Sequence, residues 1–105
     1  MTVATTQEIP HPAREELDLA TVLHALSDPV RLGIVAGLAA GKERTCGSFD
    51  VGVSKSTCTH HFRVLREAGL IQQRQQGTTR LNSLRRDDLE ARFPGLLGTI
   101  LQAAR

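Results

Sequence analysis

The stretch from Ser54 to Gly69 constrains this chain more than any other. Cys58, His61, Phe62 and Leu65 recur there at helical spacing, which defines a helix with one side made for burial. The other side offers Lys55, Ser56, Thr59, His60 and Arg63, every one able to donate a hydrogen bond. Gly69 ends the helix. A helix this short draws its stability from tertiary packing, so the rest of the chain must cover its apolar side.

Two helices precede it in the sequence. Leu19, Val22, Leu23 and Leu26 stand at i, i+3, i+4 and i+7, which predicts a helix over about 17–26. Ser27-Asp28-Pro29 then breaks the chain, with Asp28 as N-cap and Pro29 at the first helical position. A second helix over about 29–40 should bury Leu32, Val35, Leu38 and Ala39 and stop at a left-handed Gly41. Residues 44–49 leave room for a short helix only.

After Gly69 the pattern turns to strands, about 70–75 and 79–84, joined through Gln75-Gln76-Gly77-Thr78. Asp87 or Asp88 should cap another short helix carrying Leu89 and Phe93, and Pro94 should open a last helix with Leu96, Leu97, Ile100 and Leu101. The expected fold is mainly α with a small β-hairpin: five to six helices and a two-stranded wing, a winged helix-turn-helix. The whole chain, 105 residues, fits one domain. Residues 17–105 supply it, and residues 1–16, polar and holding two prolines, read as a flexible arm.

Charge distribution says more than its total of +2. Residues 54–86 hold more than half of the lysines and arginines against a single acid, Glu67, whereas the first 18 residues hold one arginine against four acids. The polar side of the Ser54–Ala68 helix therefore suits the major groove of double-stranded DNA. In the hairpin, Arg74, Thr78 and Arg80 extend that surface, with the two arginines directed mainly to phosphate.

Two segments, LHALSDPVRLGIVAGL and VSKSTCTHHFRVLREAGLI, resemble the signature of the ArsR (arsenic-repressor-like) regulators. The resemblance covers about 19–84 and rests on SDPVRL joined to S-x-S-T-x-x-x-H-F-x-V-L-R-E-A-G-L. It implies a homodimer that represses a near-palindromic operator and releases it on sensing an effector, whose identity it does not supply; two cysteines, too few for a disulfide framework, make a cytoplasmic location the expectation. It also implies a dimer interface from the first and last helices, about 17–26 and 94–104: Leu19, Val22, Leu23, Leu96, Leu97, Ile100 and Leu101. His61 matches a histidine usual in the family, and its spacing turns it toward Leu65, a structural position. His60, one position round the helix, is the better candidate for DNA.

The departures bear on sensing. Metal-responsive members carry Cys-x-Cys in the third helix, where this chain has Cys46 followed by Gly47 and Ser48. No histidine follows His61, so a last-helix Asp/His site cannot be built. The third helix is about two residues shorter than in the family. Cys46, Cys58, His60 and His61 have the right chemistry for zinc, but adjacent helical histidines point about 100° apart. A metal- or thiol-responsive sensor using Cys46 and Cys58 remains an alternative, and so does a winged helix used only for protein contact. The basic polar side of the helix argues against the latter. No phosphate-cradling glycine loop, nucleophile elbow or HExxH is found, and neither an enzyme nor a cofactor is expected. Neither a signal peptide nor a membrane span is read from the sequence.

Overall fold

The computed structural model describes residues 9–41, 44–45 and 54–104. Its elements run α1 (Leu19–Leu26), α2 (Pro29–Ala40), β1 (Arg44–Thr45), α3 (Lys55–Ala68), β2 (Ile71–Gln76), β3 (Thr79–Leu84), α4 (Arg86–Arg92) and α5 (Leu96–Ala103), preceded by one 3-10 turn, Arg14–Glu16. The helices wrap one apolar core, and the sheet projects from it as the wing.

Local chemistry sets most boundaries. Asp18 caps α1 by accepting from the Thr21 N–H at 3.0 Å. Asp28 accepts from the Val30 and Arg31 N–H groups at 2.8 and 3.2 Å, and Pro29 opens α2 as expected. Ser54 accepts from the Thr57 N–H at 3.2 Å and starts α3. Gly69, left-handed at φ 87°, ends it, while the Leu70 N–H returns to the Leu65 carbonyl at 3.0 Å. Gly77, at φ 63°, turns the hairpin between Gln76 and Thr79.

Several expectations need correction. Gly41 follows α2 but is not left-handed, with φ −149° and ψ −149°. Ile34 and Arg31 share the buried side of α2 with Val35 and Leu38, whereas Leu32 and Ala39 are only half-buried. Arg44–Thr45 is a strand, not the start of a short helix. It pairs with β3 (Arg44↔Asn82, Thr45↔Leu81), so the sheet has three antiparallel strands in the order β1-β3-β2. This short pairing covers the outer edge of β3 at Leu81 and Asn82, which a two-stranded wing would leave open. Residues 46–53, with Cys46 and the turn before α3, lie outside the described residues. Neither Asp87 nor Asp88 caps α4: both sit in its first turn, behind Arg85. Pro94 forms a turn with left-handed Gly95, and α5 begins at Leu96.

The stripe on α1 splits. Val22 and Leu26, joined by Ala25, enter the core, while Leu19 and Leu23 stay 45% and 43% exposed. On α5, Leu97 is buried, and Leu96, Ile100 and Leu101 are half-buried. Val22 and Leu97 are thus committed to their own subunit, because both are buried in its core before any second chain is considered. A small apolar pocket lined by Val22, Leu26, Leu70, Leu89, Phe93, Leu96, Leu97 and Ile100 lies beside them.

Residues 9–17, most of them in the expected arm, lie against the body. Leu17 is buried in the core. Arg85 donates to the Pro12 carbonyl at 2.8 Å and Arg92 to that of Leu17 at 2.6 Å. Arg14 and Arg85 both reach Asp88, at 2.7 and 2.9 Å, and hold its carboxyl below the usual carboxylate range. His11 Nε2 accepts from the Gln73 N–H of β2 at 2.9 Å, so it must be unprotonated at that nitrogen.

Burial lowers the His11 pKa from its ordinary 6.5, and nearby Arg85 and Arg66 disfavour its charged form further. The unfolded chain therefore takes up this proton more readily. The stabilisation from the contact is complete above 6.5 and is lost as pH falls through the lowered value. Taken from about pH 7.5 to about pH 5, the wild type should lose urea resistance more steeply than His11→Ala. Parallel slopes would show that His11 does not hold the wing.

Candidate nucleic-acid interface

The amphipathic pattern of α3 decides what it can present. Cys58, His61, Phe62, Leu65 and Ala68 are buried against the preceding helices, and Lys55, Ser56, Thr59, His60 and Arg63 are all exposed. The expected division between an inner and an outer side is therefore present in full. On the outer side the Thr59 hydroxyl donates to the Lys55 carbonyl at 3.0 Å and keeps its acceptor capacity. An Arg63 Nη lies 3.5 Å from His60 Nδ1.

The two histidines do different work. His60 faces outward. His61 is buried, and its Nδ1 lies 3.3 Å from an Arg31 Nη. Arginine can only donate, so Nδ1 accepts and the proton of neutral His61 sits on Nε2. The rings are 5.9 Å apart and inclined by 51°. Among the described residues no group of three His, Cys, Asp or Glu side chains is placed to hold a metal ion. Cys58 occupies the inner side of α3 as a small buried residue.

The wing adds a distinction that spacing alone did not supply. β2 and β3 pair in the register Gln73↔Asn82, Arg74↔Leu81, Gln75↔Arg80. Directly paired residues share a face and successive residues alternate. Arg80 therefore shares the face of Gln73 and Asn82, while Arg74 leaves from the opposite one. Arg74 and Arg80 flank the tip as expected, but they do not point the same way. Thr78 stands at the tip itself, exposed.

Between α3 and the Arg80 face lies a cleft of about 450 Å³, lined by Thr59, Phe62, Arg63, Arg66, Gln73, Arg80 and Asn82. Three guanidiniums border it and no carboxylate does. Its floor is an amide pair, with Gln73 Nε2 donating to Asn82 Oδ1 at 2.7 Å. Arg66, Gln73 and Asn82 were not foreseen as site residues. Arg66 is three positions after Arg63, so a helical period could have suggested it. The amide pair required the strand register.

A helix with a polar outer side, flanked by a basic wing, is the layout of a winged helix-turn-helix. The helix-turn-helix domain family matches residues 26–74. The chain is 42% identical over 86 residues to YceK of Bacillus subtilis (strain 168), an uncharacterized HTH-type transcriptional regulator, covering 77% of this chain and 84% of that one. The chain belongs to the ArsR family of transcriptional regulators.

Other relatives agree. The biofilm growth-associated repressor of Xylella fastidiosa (strain Temecula1 / ATCC 700964) is 34% identical over 74 residues, which is 64% of each chain. The crystal structure of the repressor BigR from Xylella fastidiosa superposes with a TM-score of 0.63 at 29% identity, covering 81% of this chain and 84% of that one. The homodimeric winged helix-turn-helix DNA-binding domain of Mb0332 from Mycobacterium bovis, a possible ArsR-family regulator, superposes with a TM-score of 0.64 at 28% identity, covering 80% and 78%. This regulator is accordingly a DNA-binding protein and not an enzyme. Among its described residues no single helix is long and apolar enough to cross a membrane.

Proposed function

We propose that this regulator is a cytoplasmic, homodimeric repressor that reads a near-palindromic operator in double-stranded DNA and leaves it on binding an effector. The observation that carries the reading is the continuous exposed row Lys55, Ser56, Thr59, His60 and Arg63 on α3, beside a wing with Arg80 and Thr78. Such a row can enter the major groove, and a wing reaches the flanking backbone. Arg74, on the other face of the wing, completes the proposed set.

Dimerisation is supported by the exposure of Leu19 and Leu23 on α1 and the half-burial of Leu96, Ile100 and Leu101 on α5. These five are the interface residues we retain. The M. bovis domain is itself homodimeric. A two-fold axis would set two copies of α3 about 34 Å apart, one helical turn of DNA. Repression is the stated role of the Xylella relative.

Selection of bound duplexes from a random pool tests this reading. A selected duplex should bind two chains, about 10³-fold or more tighter than a scrambled one. Equal, weak binding to both would overturn it.

The roles of individual residues separate in the same assay. Lys55→Ala or Arg63→Ala should each cost about 1–3 kcal/mol and relax selection at one base position. Arg80→Ala should weaken all duplexes alike and reduce the salt slope by about 1. A uniform loss for all three variants would refute this division.

A further inference from the structure

We infer that the cleft between α3 and the wing is a built phosphate site, and that its occupant is one phosphodiester of the bound DNA strand. The inference rests on the DNA-binding reading above and extends it to the central residue, Arg66.

Arg66 is held in place before any ligand arrives. One Nη donates to Gln73 Oε1 at 3.0 Å. Gln73 is anchored in turn by its side-chain bond to Asn82 and by its backbone bond to His11. The guanidinium is almost wholly enclosed, with 11% of the side chain exposed. Its Nε–H, buried, has no hydrogen-bond acceptor among the described residues. Among the described residues the second Nη approaches the largely exposed carboxylate of Glu67, at 3.8 Å, beyond hydrogen-bonding range.

A buried donor without a partner costs stability, and folds rarely retain one without a use. Nε–H together with the neighbouring Nη forms the edge that matches two oxygens of a phosphate. Arg80 and Arg63 border the same cleft, and no carboxylate lines it; Glu67, the acid nearest Arg66, lies outside the lining and is largely exposed. The lining polar groups therefore select an anion.

Position identifies the source. A helix in the major groove and a wing over the next minor groove straddle the sugar–phosphate backbone that separates the two. A cleft between them lies where that backbone passes. The cleft is open and larger than an isolated ion needs, which suits a continuous strand.

The test uses the whole protein and a duplex from the selection experiment. Single neutral methylphosphonates are placed at each backbone position in turn. One position per half-site should weaken wild-type binding about tenfold, the value of one charge-assisted bond. Arg66→Gln should lose a similar factor on the native duplex and almost nothing more at that position. Arg80→Gln, whose exposed side chain does not support the fold, should show the same non-additivity. In parallel, the Arg66 Nε–H NMR signal is followed during titration with inorganic phosphate at constant ionic strength.

Coupling at one position confirms the DNA phosphodiester. A saturable shift with inorganic phosphate, and no coupled position, keeps the phosphate site but assigns it to a free anion. Tight selective DNA binding with neither signal overturns the inference and leaves the repressor reading intact. Absence of selective binding to any duplex defeats the repressor reading, and the NMR arm then decides the cleft alone.

Discussion

Gly69→Ala is expected to destabilise the protein by roughly 2–5 kcal/mol, from about 1–2 for a left-handed backbone and about 1–3 for overpacking. Gly69 sits at φ 87°, a conformation that a Cβ disfavours. An added Cβ would also stand 2.0 Å from Leu17 Cδ2, with Leu17 Cγ at 3.3 Å and Pro12 Cγ at 3.4 Å. The end of a leucine side chain would ordinarily move aside. Leu17 is 2% exposed, and its carbonyl is held by Arg92 at 2.6 Å, so it has little room. The left-handed stop and the docking of residues 9–17 therefore depend on the same glycine. Urea unfolding at fixed protein concentration measures the loss, since a dimer's apparent stability depends on concentration. Gly33→Ala is the control: beyond its own stretch of helix no described atom lies within 4 Å of its added Cβ, and alanine in a helix interior should stabilise by about 0.5–1 kcal/mol. The double variant Leu17→Ala/Gly69→Ala should be less destabilised than the sum of its parts. Strict additivity, or a change below about 0.5 kcal/mol in Gly69→Ala, would mean that Leu17 does not pack on Gly69.

Arg31→Ala should cost about 3 kcal/mol, through lost charge-assisted hydrogen bonds and the acceptors left behind. Arg31 lies on α2 and is 8% exposed. Its Nε donates to the Ala25 carbonyl on α1 at 2.7 Å, and an Nη reaches His61 Nδ1 on α3 at 3.3 Å. One planar fork thus joins three helices, and α3 is the helix that must meet DNA. Arg31→Lys should recover little, because a lysine ammonium does not reproduce the fork. The variant pair Arg31→Ala and His61→Ala should couple by about 0.5–3 kcal/mol in a double-mutant cycle. Nitrogen NMR of the imidazole supplies an independent check. Neutral His61 should carry its proton on Nε2 in the wild type and lose that preference in Arg31→Ala. A wild-type His61 with its proton on Nδ1 would refute the contact.

Residues whose position follows from chain-local physics were legible in advance. Asp28 and Pro29 start α2 because a carboxylate can accept from the free N–H groups and a proline needs none to donate. Cys58, His61, Phe62 and Leu65 turn inward together because 3.6 residues complete a turn. That same period leaves Lys55, Ser56, Thr59, His60 and Arg63 outward, so the exposed row of α3 was readable, although Arg66 at the edge of the cleft was not foreseen. The hairpin was readable from Gly77 and its polar neighbours.

Other features arise only where segments distant in sequence meet. Arg31 is absent from the apolar stripe of α2, and its burial follows only from its bonds to Ala25 and His61. Leu19 and Val22 belong to one stripe, yet the core takes in Val22 and leaves Leu19 open. Arg74 and Arg80 look equivalent beside the tip, and the strand register sends them to opposite faces. Residues 1–16 look like a polar arm because the groups that hold its described part lie far along the chain: Gln73 for His11 and Arg85 for Pro12. Periodicity, capping and turn chemistry are properties of a few consecutive residues, and the sequence by itself determined the helices, the hairpin and the polar row on α3. Burial, register and the enclosure of Arg66 depend on which surfaces come together, and only the tertiary structure decided them.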